Sequence, residues 1–334
     1  MRKSVWVGWI LLVAVACKSH RSTPDVSGIR IDLQVQRFEI PFFALDTNHL
    51  NRSLQQLAEK YPGFTQDFLF NILGTTPDNA SKDVPRFIRT YQSLSQASAK
   101  KYADFSPVEN SLRRGLQFLH YYFPSYKLPA QLITFIGPIN SYGNIITKDA
   151  LAVGLQLYMG KDYPLYQDEQ GQALYPAFVS RRFEPEYIAV NCIRNIIEDM
   201  YPDKSSGKPL VEQMIESGKR LYLLEKLLPD LPDSIRTGYT AQQLAFCEHN
   251  EQQVWGFFVQ NDLLFSNDPN TARDYLTDAP NTAALGESSP GNIGQFVGRQ
   301  IVDKWVDAHE KTSLDTLMKM PAGKLFEEAK YKPR

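Results

Sequence analysis

The alternation of apolar and polar residues predicts a small sheet in the N-terminal half of the chain. In IRIDLQVQRFE, residues 29–39, apolar side chains occupy every second position from Ile29 to Val35, with polar ones between them, which is typical of a strand with one buried face. The run QLITFIG at 131–137 predicts a second strand. After the turn residues of 140–144, the stretch 145–160 predicts further extended structure.

Elsewhere the apolar residues recur with the period of a helix. Thr240 and Gln243 have the spacing of a capping box, which predicts that a helix begins there and continues through residues 241–265. The chain is therefore predicted to be α+β, mostly helical, with a small sheet near the N-terminal half. The other segments predicted to be helical are 49–60, most of 65–127, 185–202, 209–229 and the glycine-containing run 291–309.

Glycine stands inside two of these apolar stripes. Gly218 interrupts the stripe of 209–229, and Gly294 and Gly298 lie in the run 291–309. Glycine inside a helix costs about 1 kcal/mol relative to alanine. These positions are therefore predicted to let a neighbouring element approach closely.

The first residues favour an exported lipoprotein. An apolar run, VWVGWILLVAVA, follows Arg2 and Lys3 and ends at Cys17 after small residues. It is shorter than the roughly 20 residues that cross a bilayer, and its order of basic, apolar and small segments is typical of a secretory signal peptide. A cysteine at this point matches a bacterial lipobox, so Cys17 is the predicted lipid attachment site. The alternative is an ordinary secreted protein with a chance cysteine.

The predicted domain organisation follows from this leader. Residues 1–16 form the signal peptide, 17–27 the lipidated cysteine with a flexible tether, and 28–334 a single globular domain. The expected location is the cell envelope, with the protein held to a membrane by its lipid and facing the periplasm. Loss of Arg2 and Lys3 with the leader moves the formal net charge from −1 to −3, which argues against a nucleic-acid partner.

The two remaining cysteines allow two interpretations. Cys192 and Cys247 each fall on the apolar face of a predicted helix. They could form a disulfide in an oxidising envelope, or both could be buried free thiols.

A search for catalytic and metal-binding motifs predicts no catalytic residue, metal ligand or cofactor. None of the five histidines lies four residues from another, so the H-E-x-x-H motif of zinc peptidases is absent. GESSPG at 286–291 has Pro290 where the nucleophile motif of serine hydrolases requires glycine. There is no phosphate-binding loop and no dinucleotide fingerprint.

The chain resembles the GldB family of gliding-motility lipoproteins of Bacteroidota over almost its whole length. This resemblance implies a lipoprotein that supports gliding and the linked type IX secretion machinery, with envelope, motility or secretion proteins as partners. It is carried by the order and spacing of several blocks: the lipobox at Cys17, IDLQVQRFE, LAEKYPGF (57–64), LAVGLQLYMGKDYPLY (151–166), MIESGKRLYLLEKLLPD (214–230), GYTAQQLAFCEHNEQQVWGFF (238–258) and ESSPGNIGQFVGRQIV (287–302).

A more distant similarity is to predicted zinc peptidases of the zincin type. In those proteins one helix carries H-E-x-x-H and the next carries a ligand glutamate before a glycine. Here the helix of 185–202 has no histidine, and Ser217 precedes Gly218. The resemblance thus implies a degenerate zincin-like core that lacks zinc and keeps a cleft for binding. The candidate cleft positions are Asn191, Ser217, Gly218, Lys219 and Tyr222.

Three functions remain open from the sequence. The first is a non-enzymatic envelope lipoprotein that binds protein partners or an envelope polymer. The second is a hydrolase acting on peptides or peptidoglycan, and the third is a purely structural tether.

Overall fold

The computed structural model describes residues 23–147 and 150–333. The predicted signal peptide and Cys17 lie outside the described residues. Packing of the globular body begins by Val26, which is fully buried. No helix in the described part of the chain combines the length and the apolar character needed to cross a membrane.

The predicted α+β class is confirmed, because the chain is mostly helical and has one four-stranded mixed sheet. The order in the sheet is β1-β2-β4-β3. β1 and β4 pair with β2 in parallel, and β3 pairs with β4 in an antiparallel hairpin, so that β3 is an edge strand. The strands are β1 (Gln34–Arg37), β2 (Gln131–Phe135), β3 (Asn144–Ile146) and β4 (Ala150–Gly154).

Seventeen α-helices occur in the described residues. A π-helical turn, Asp67–Ile72, directly follows α3, and short 3-10 turns cover Thr47–His49, Leu155–Leu157 and Ala283–Leu285. The helices are α1 (Glu39–Phe43), α2 (Leu50–Lys60), α3 (Phe64–Gln66), α4 (Ala80–Lys101), α5 (Ser106–Tyr122), α6 (Pro164–Gln167), α7 (Glu169–Leu174), α8 (Ala177–Ser180), α9 (Tyr187–Met200), α10 (Leu210–Leu227), α11 (Asp233–Thr237), α12 (Ala241–His249), α13 (Glu251–Gln260), α14 (Pro269–Leu276), α15 (Ile293–Ala308), α16 (Leu314–Lys319) and α17 (Ala322–Ala329).

The first predicted strand is shorter in the structure than its alternation indicates. Only Gln34–Arg37 pairs in the sheet, although the predicted alternation of burial continues back to residue 29. In the residues that precede β1, side chains of α5 supply the hydrogen bonds that a neighbouring strand would otherwise make. Gln117 donates to the Ile29 carbonyl at 2.8 Å, and Arg113 donates to the carbonyls of residues 31 and 33. An extended segment therefore satisfies its backbone without a ladder.

Two other predicted elements are interrupted. Within 145–160, β4 ends at Gly154 and the chain continues as a 3-10 turn rather than as a strand. The predicted helix of 241–265 is divided into α12 and α13 at Asn250, whose side chain donates to the Phe246 carbonyl at 2.8 Å. The capping box of Thr240 and Gln243 is confirmed at the start of α12.

The buried apolar residues form two clusters that meet at α10. The first surrounds the sheet and includes residues of α4, α5 and α9, and the second surrounds α15 with parts of α12 to α14 and α17. Leu223 and Leu227 of α10 belong to the first cluster, whereas Met214 and Ile215 belong to the second. None of the residues of α10 is fully exposed, although several are charged, so α10 is a central helix shared by both clusters.

The predicted close approach at the glycines is confirmed where α10 meets α15. A β-carbon placed on Gly218 would lie 2.2 Å from the carbonyl carbon of Gly298, and one on Gly298 would lie 1.7 Å from the Met214 carbonyl oxygen. Both distances are far below a van der Waals contact, so the two backbones touch directly and neither position accepts a side chain.

Of the two alternatives for the cysteines, the structure has free thiols. Cys192 in α9 and Cys247 in α12 are both buried and unpaired. Burial raises the pKa of each thiol to about 12, which keeps both protonated at physiological pH.

Candidate functional site

Three neighbouring cavities meet at Asn195 of α9. We name them the edge cavity (≈ 680 Å³, beside β3), the arginine cavity (≈ 370 Å³, lined by Arg182 and Arg194) and the amide cavity (≈ 330 Å³, lined by Ser217, Asn292 and Gln295). Asn195 lines all three. The edge and arginine cavities lie between β3 and α9, and the amide cavity lies between α9, α10 and the start of α15. Together they form one cleft, which is the candidate functional site.

One wall of the edge cavity is the open side of β3. The Gly143 carbonyl accepts a backbone hydrogen bond from Gly154 of β4, and the Thr147 N–H donates one to the Ala150 carbonyl. The alternation of an antiparallel ladder therefore directs the N–H and C=O groups of Asn144 and Ile146 away from β4. No residue in the described part of the chain pairs with these outward groups. Unpaired backbone donors and acceptors therefore lie along the cavity.

The opposite wall is partly apolar and partly acidic. Phe64 of α3 and Ile72 of the π-helical turn supply apolar surface. Among the described residues that line this cavity, the only charged ones are Asp67, Glu198 and Asp199. An extended segment between the walls would meet apolar contacts and negative charge.

A hydrogen-bond network fixes β3 to α9. Asn191 donates through Nδ2 to the Tyr158 hydroxyl at 2.8 Å, and Tyr158 donates to Oδ1 of Asn144. Nδ2 of Asn144 in turn contacts Sγ of Cys192 at 3.4 Å. Burial raises the pKa of Tyr158 well above its usual range, so the hydroxyl stays neutral and continues to donate. The network holds the first residue of the edge strand in one position.

The amide cavity contains polar groups without protein partners. Among the described residues none forms a hydrogen bond with the side chain of Asn195 or with the Ser217 hydroxyl, and Oδ1 of Asn292 is buried and unpaired. Of these groups only Oδ1 of Asn292 is buried, and buried polar groups normally have a partner, while Asn195 and Ser217 are partly exposed to the cavity. These groups are therefore available to a bound molecule.

The structure separates the predicted cleft positions into two groups. Asn191 lines the arginine cavity and Ser217 lines the amide cavity. These two cavities adjoin through Arg194 and Asn195. Gly218 instead lies at the crossing of α10 and α15, and Tyr222 is buried in the second cluster with Arg299 stacked 4.6 Å from its ring centroid.

Lys219 lies outside the cleft as well. Its Nζ is within 2.6 Å of Glu216 and donates to the carbonyls of Met318 and Met320 at 3.1 and 2.9 Å. The side chain is 1% exposed. Burial, the largest effect, lowers its pKa, while Glu216 opposes that shift. With all three donors of the ammonium group engaged, Lys219 holds α10 against the segment that links α16 and α17.

Sequence reasoning missed Asn144, Arg194 and Asn195. One signal was available for part of this set, because Asn191 and Asn195 are four residues apart and so lie on one face of α9. Asn144 is distant in sequence and reaches the site through the hairpin of β3 and β4, which no local pattern reveals.

No cluster of three or more His, Cys, Asp or Glu residues suited to holding a metal ion occurs in residues 23–147 and 150–333. The donors of the cleft are instead amides, hydroxyls and arginines.

The model of one protein family, described as gliding motility protein GldB, matches residues 19–333. The chain belongs to the GldB family. For a GldB protein the family description gives a connection to gliding motility and leaves the molecular activity open. No curated protein and no solved structure matches this GldB chain.

Proposed function

We propose that this protein is a lipid-anchored envelope protein that supports gliding motility and the linked type IX secretion machinery by binding an extended polypeptide in the cleft, without catalysis. Family membership supports the connection to motility. The cleft supports binding, because it combines apolar walls with groups that lack partners.

The observation that carries this proposal is the open edge of β3. Outward N–H and C=O groups of Asn144 and Ile146 line a cavity of ≈ 680 Å³. An extended peptide that adds to a sheet edge pairs its backbone with such groups and places alternate side chains in adjacent pockets. The network through Tyr158 preorganises the strand, which reduces the entropy lost on binding.

The amides of α9 support a non-catalytic role on a peptidase-like scaffold. Asn191 and Asn195 have the four-residue spacing that the two histidines occupy in a zinc-binding helix. Zinc sites in proteins use thiolate, imidazole and carboxylate ligands, and a carboxamide is not among them. Ser217, which lines a cavity with Asn195, likewise offers no carboxylate.

Proline at position 146 tests the binding mode. Proline is tolerated on an edge strand when its nitrogen faces away from the ladder, so Ile146→Pro removes one outward donor and leaves the bonds to β4. We expect this variant, in a gliding strain whose own copy is deleted, to abolish spreading. Ile146→Val keeps the donor and should restore spreading fully.

Both variants must accumulate to wild-type levels in the envelope for this comparison. Normal spreading of the Ile146→Pro strain would show that the edge of β3 is not the binding surface, and the proposed function would then be wrong.

Lipid anchoring belongs to the same proposal and rests on the leader that ends at Cys17. Several acyl chains on one residue give durable membrane attachment, at about 0.8 kcal/mol per buried methylene. Mass spectrometry of the protein isolated from envelopes should find an acylated residue 17 at its N-terminus. An unmodified start beyond residue 17 would exclude a lipid anchor.

A hydrolase acting on peptides or peptidoglycan is the alternative function. It is favoured by the carboxylates of Asp67, Glu198 and Asp199 around one cavity, since paired carboxylates carry out glycosidic cleavage. Incubation of the purified protein with casein and with sacculi separates the two proposals. Turnover of either substrate that is lost in Glu198→Gln would favour the hydrolase.

A further inference from the structure

Charge is distributed unequally along the cleft. On α9, Asn191 and Arg194 line the arginine cavity, whereas Asp199, nearer the C-terminus of the helix, lines the edge cavity. The residues that flank β3 are arranged in the same order. Gly143, just before the strand, lines the arginine cavity, and Thr147, just after it, lines the edge cavity. The cleft therefore has an acidic end beside the last residues of β3 and a basic end beside its first residues.

Arg194 is the uncompensated cation of the basic end. Arg182 in the same cavity forms a bidentate ion pair with Asp278, but no carboxylate of the described residues pairs with Arg194. Its one hydrogen bond runs from Nη2 to the Arg236 carbonyl at 2.7 Å. This contact fixes the guanidinium plane and leaves its other N–H groups without a protein acceptor in the described part of the chain.

The electrostatics agree with this geometry. Burial, followed by the charge of Arg182, lowers the pKa of Arg194, and the opposing effect of Asp278 compensates only in part. A buried guanidinium remains charged nevertheless. An incoming anion would supply the charge compensation that the protein itself lacks.

Two neutral donors accompany Arg194 in the cavity. Tyr187 is buried, lies within electrostatic range of Arg194, and its hydroxyl has no hydrogen-bond partner among the described residues. The carboxamide of Asn195 is also unpartnered and lines the same cavity. A guanidinium with adjacent hydroxyl and amide donors matches a carboxylate, which accepts several hydrogen bonds and pairs in a planar geometry with arginine.

We propose that the arginine cavity binds a carboxylate of the extended polypeptide that pairs with β3, with Arg194 as the anchoring cation and Tyr187 and Asn195 as further donors. This inference rests on the proposed function and adds the polarity of the ligand. The carboxylate lies at the basic end, and a lysine or arginine side chain of the ligand lies near Asp67 and Asp199 at the acidic end.

The position of the basic end also fixes the direction of the ligand. If the carboxylate is a C-terminus, the ligand ends beside Gly143 and runs from the Thr147 end of β3 toward the Asn144 end. The ligand strand is then antiparallel to β3, and antiparallel pairing is slightly more stable per residue than parallel pairing.

Fluorescence anisotropy with three labelled peptides tests the inference on the purified protein. Each peptide has two lysines followed by alternating threonine and valine. The first ends in a free carboxylate, the second in an amide, and the third in a glutamate whose own C-terminus is amidated. We expect the free acid, the glutamate amide or both to bind at least about 10-fold more tightly than the plain amide, which corresponds to about 1.4 kcal/mol.

The two carboxylate peptides distinguish a C-terminus from an acidic side chain. In Arg194→Gln the ratio of the affinities for the carboxylate peptides and the plain amide should fall to about one. Arg194→Lys should keep part of the preference for the carboxylate. Tyr187→Phe should weaken the carboxylate peptides without changing the affinity for the plain amide. Arg86→Gln is the control, because Arg86 is an exposed cation on α4 that lines none of the three cavities, and it should retain the preference.

The remaining outcomes contradict one proposal or both. Equal binding of all three peptides would overturn the carboxylate site and leave binding at β3 standing. A preference that persists in a folded Arg194→Gln protein would exclude Arg194 as the anchor. If no peptide binds to the wild-type protein, binding at β3 and the carboxylate site are both wrong.

Discussion

At the scale of single residues, the cleft depends on the Tyr158 hydroxyl. This one group receives a hydrogen bond from Asn191 and gives one to Asn144, and the side chain is only 2% exposed. It joins an edge strand to a helix that is far from it in sequence. The position of Asn144 is therefore set by a tertiary contact rather than by the strand itself.

Removing that hydroxyl should destabilise the protein and release the edge strand. We expect Tyr158→Phe to lower the free energy of unfolding by about 1–3 kcal/mol, because two partly buried side-chain amides each lose a hydrogen bond. Amide hydrogen exchange of β3 should become faster. Tyr142→Phe is the control, since Tyr142 is 65% exposed, and it should stay within about 0.5 kcal/mol of the wild type. An unchanged stability of Tyr158→Phe would contradict the role of the network.

At the scale of elements, the direct contact of α10 and α15 determines the shape of the amide cavity. Ser217 is adjacent to Gly218, the residue of closest approach, while Asn292 and Gln295 lie at the start of α15. The separation of the two helices therefore sets the distance between the groups that face this cavity.

Alanine at the crossing should force the helices apart. We expect Gly218→Ala to lower the free energy of unfolding by about 3 kcal/mol, the upper end for overpacking, because the added carbon meets backbone atoms that cannot rotate away. In Gly256→Ala, on α13, the added carbon meets nothing closer than the end of Gln260 at 3.7 Å. That variant should gain up to about 1 kcal/mol from helix propensity. Chemical denaturation of the two variants measures whether the free energy of unfolding falls in Gly218→Ala and rises in Gly256→Ala.

Several elements could be predicted because their patterns are local. The stripes of 185–202 and 209–229 predict α9 and α10 to within two residues at each end, and the capping box marks the start of α12. The strand at 29–39 is too long in the prediction because α5 provides hydrogen-bond donors to its first residues. Contacts between residues 82 and 88 positions apart in the chain cannot be inferred from the local alternation of apolar and polar residues.

The candidate site was harder to predict than the fold. Asn191 and Ser217 were chosen from a resemblance, and both line cavities of the cleft. Lys219 and Tyr222 share the same stretch of sequence, but the rotation of α10 directs them into the interior. The unpaired edge of β3 depends on sheet order, and the lack of an ion-pair partner for Arg194 depends on which carboxylates lie near it. Neither property is encoded in a short motif.

At the scale of the whole molecule, burial of ionisable groups makes stability sensitive to alkaline pH. The thiols of Cys192 and Cys247 have pKa values of about 12 in the folded protein against 9.0 for an exposed thiol. Burial also raises the pKa of Tyr158 and Tyr239. In the unfolded chain these groups lose their protons at lower pH than in the folded one.

The free energy of unfolding should therefore decrease as pH rises above about 9. Between the unfolded and folded pKa values the folded protein binds more protons, so each buried thiol contributes a loss of about 1.4 kcal/mol per pH unit. Thermal unfolding between pH 7 and 11 measures this slope. Cys247→Ala should have a shallower slope than the wild type, and an identical slope would show that this thiol does not contribute.

The short length of β3 limits how the cleft can achieve selectivity. A three-residue edge offers few ladder positions, and each backbone hydrogen bond contributes only about 0.5–1.5 kcal/mol net. Main-chain pairing alone would bind any extended chain weakly, including a second copy of this protein. Discrimination must therefore reside in the side chains that a ligand inserts on either side of the strand, and a poor match there would dissociate quickly.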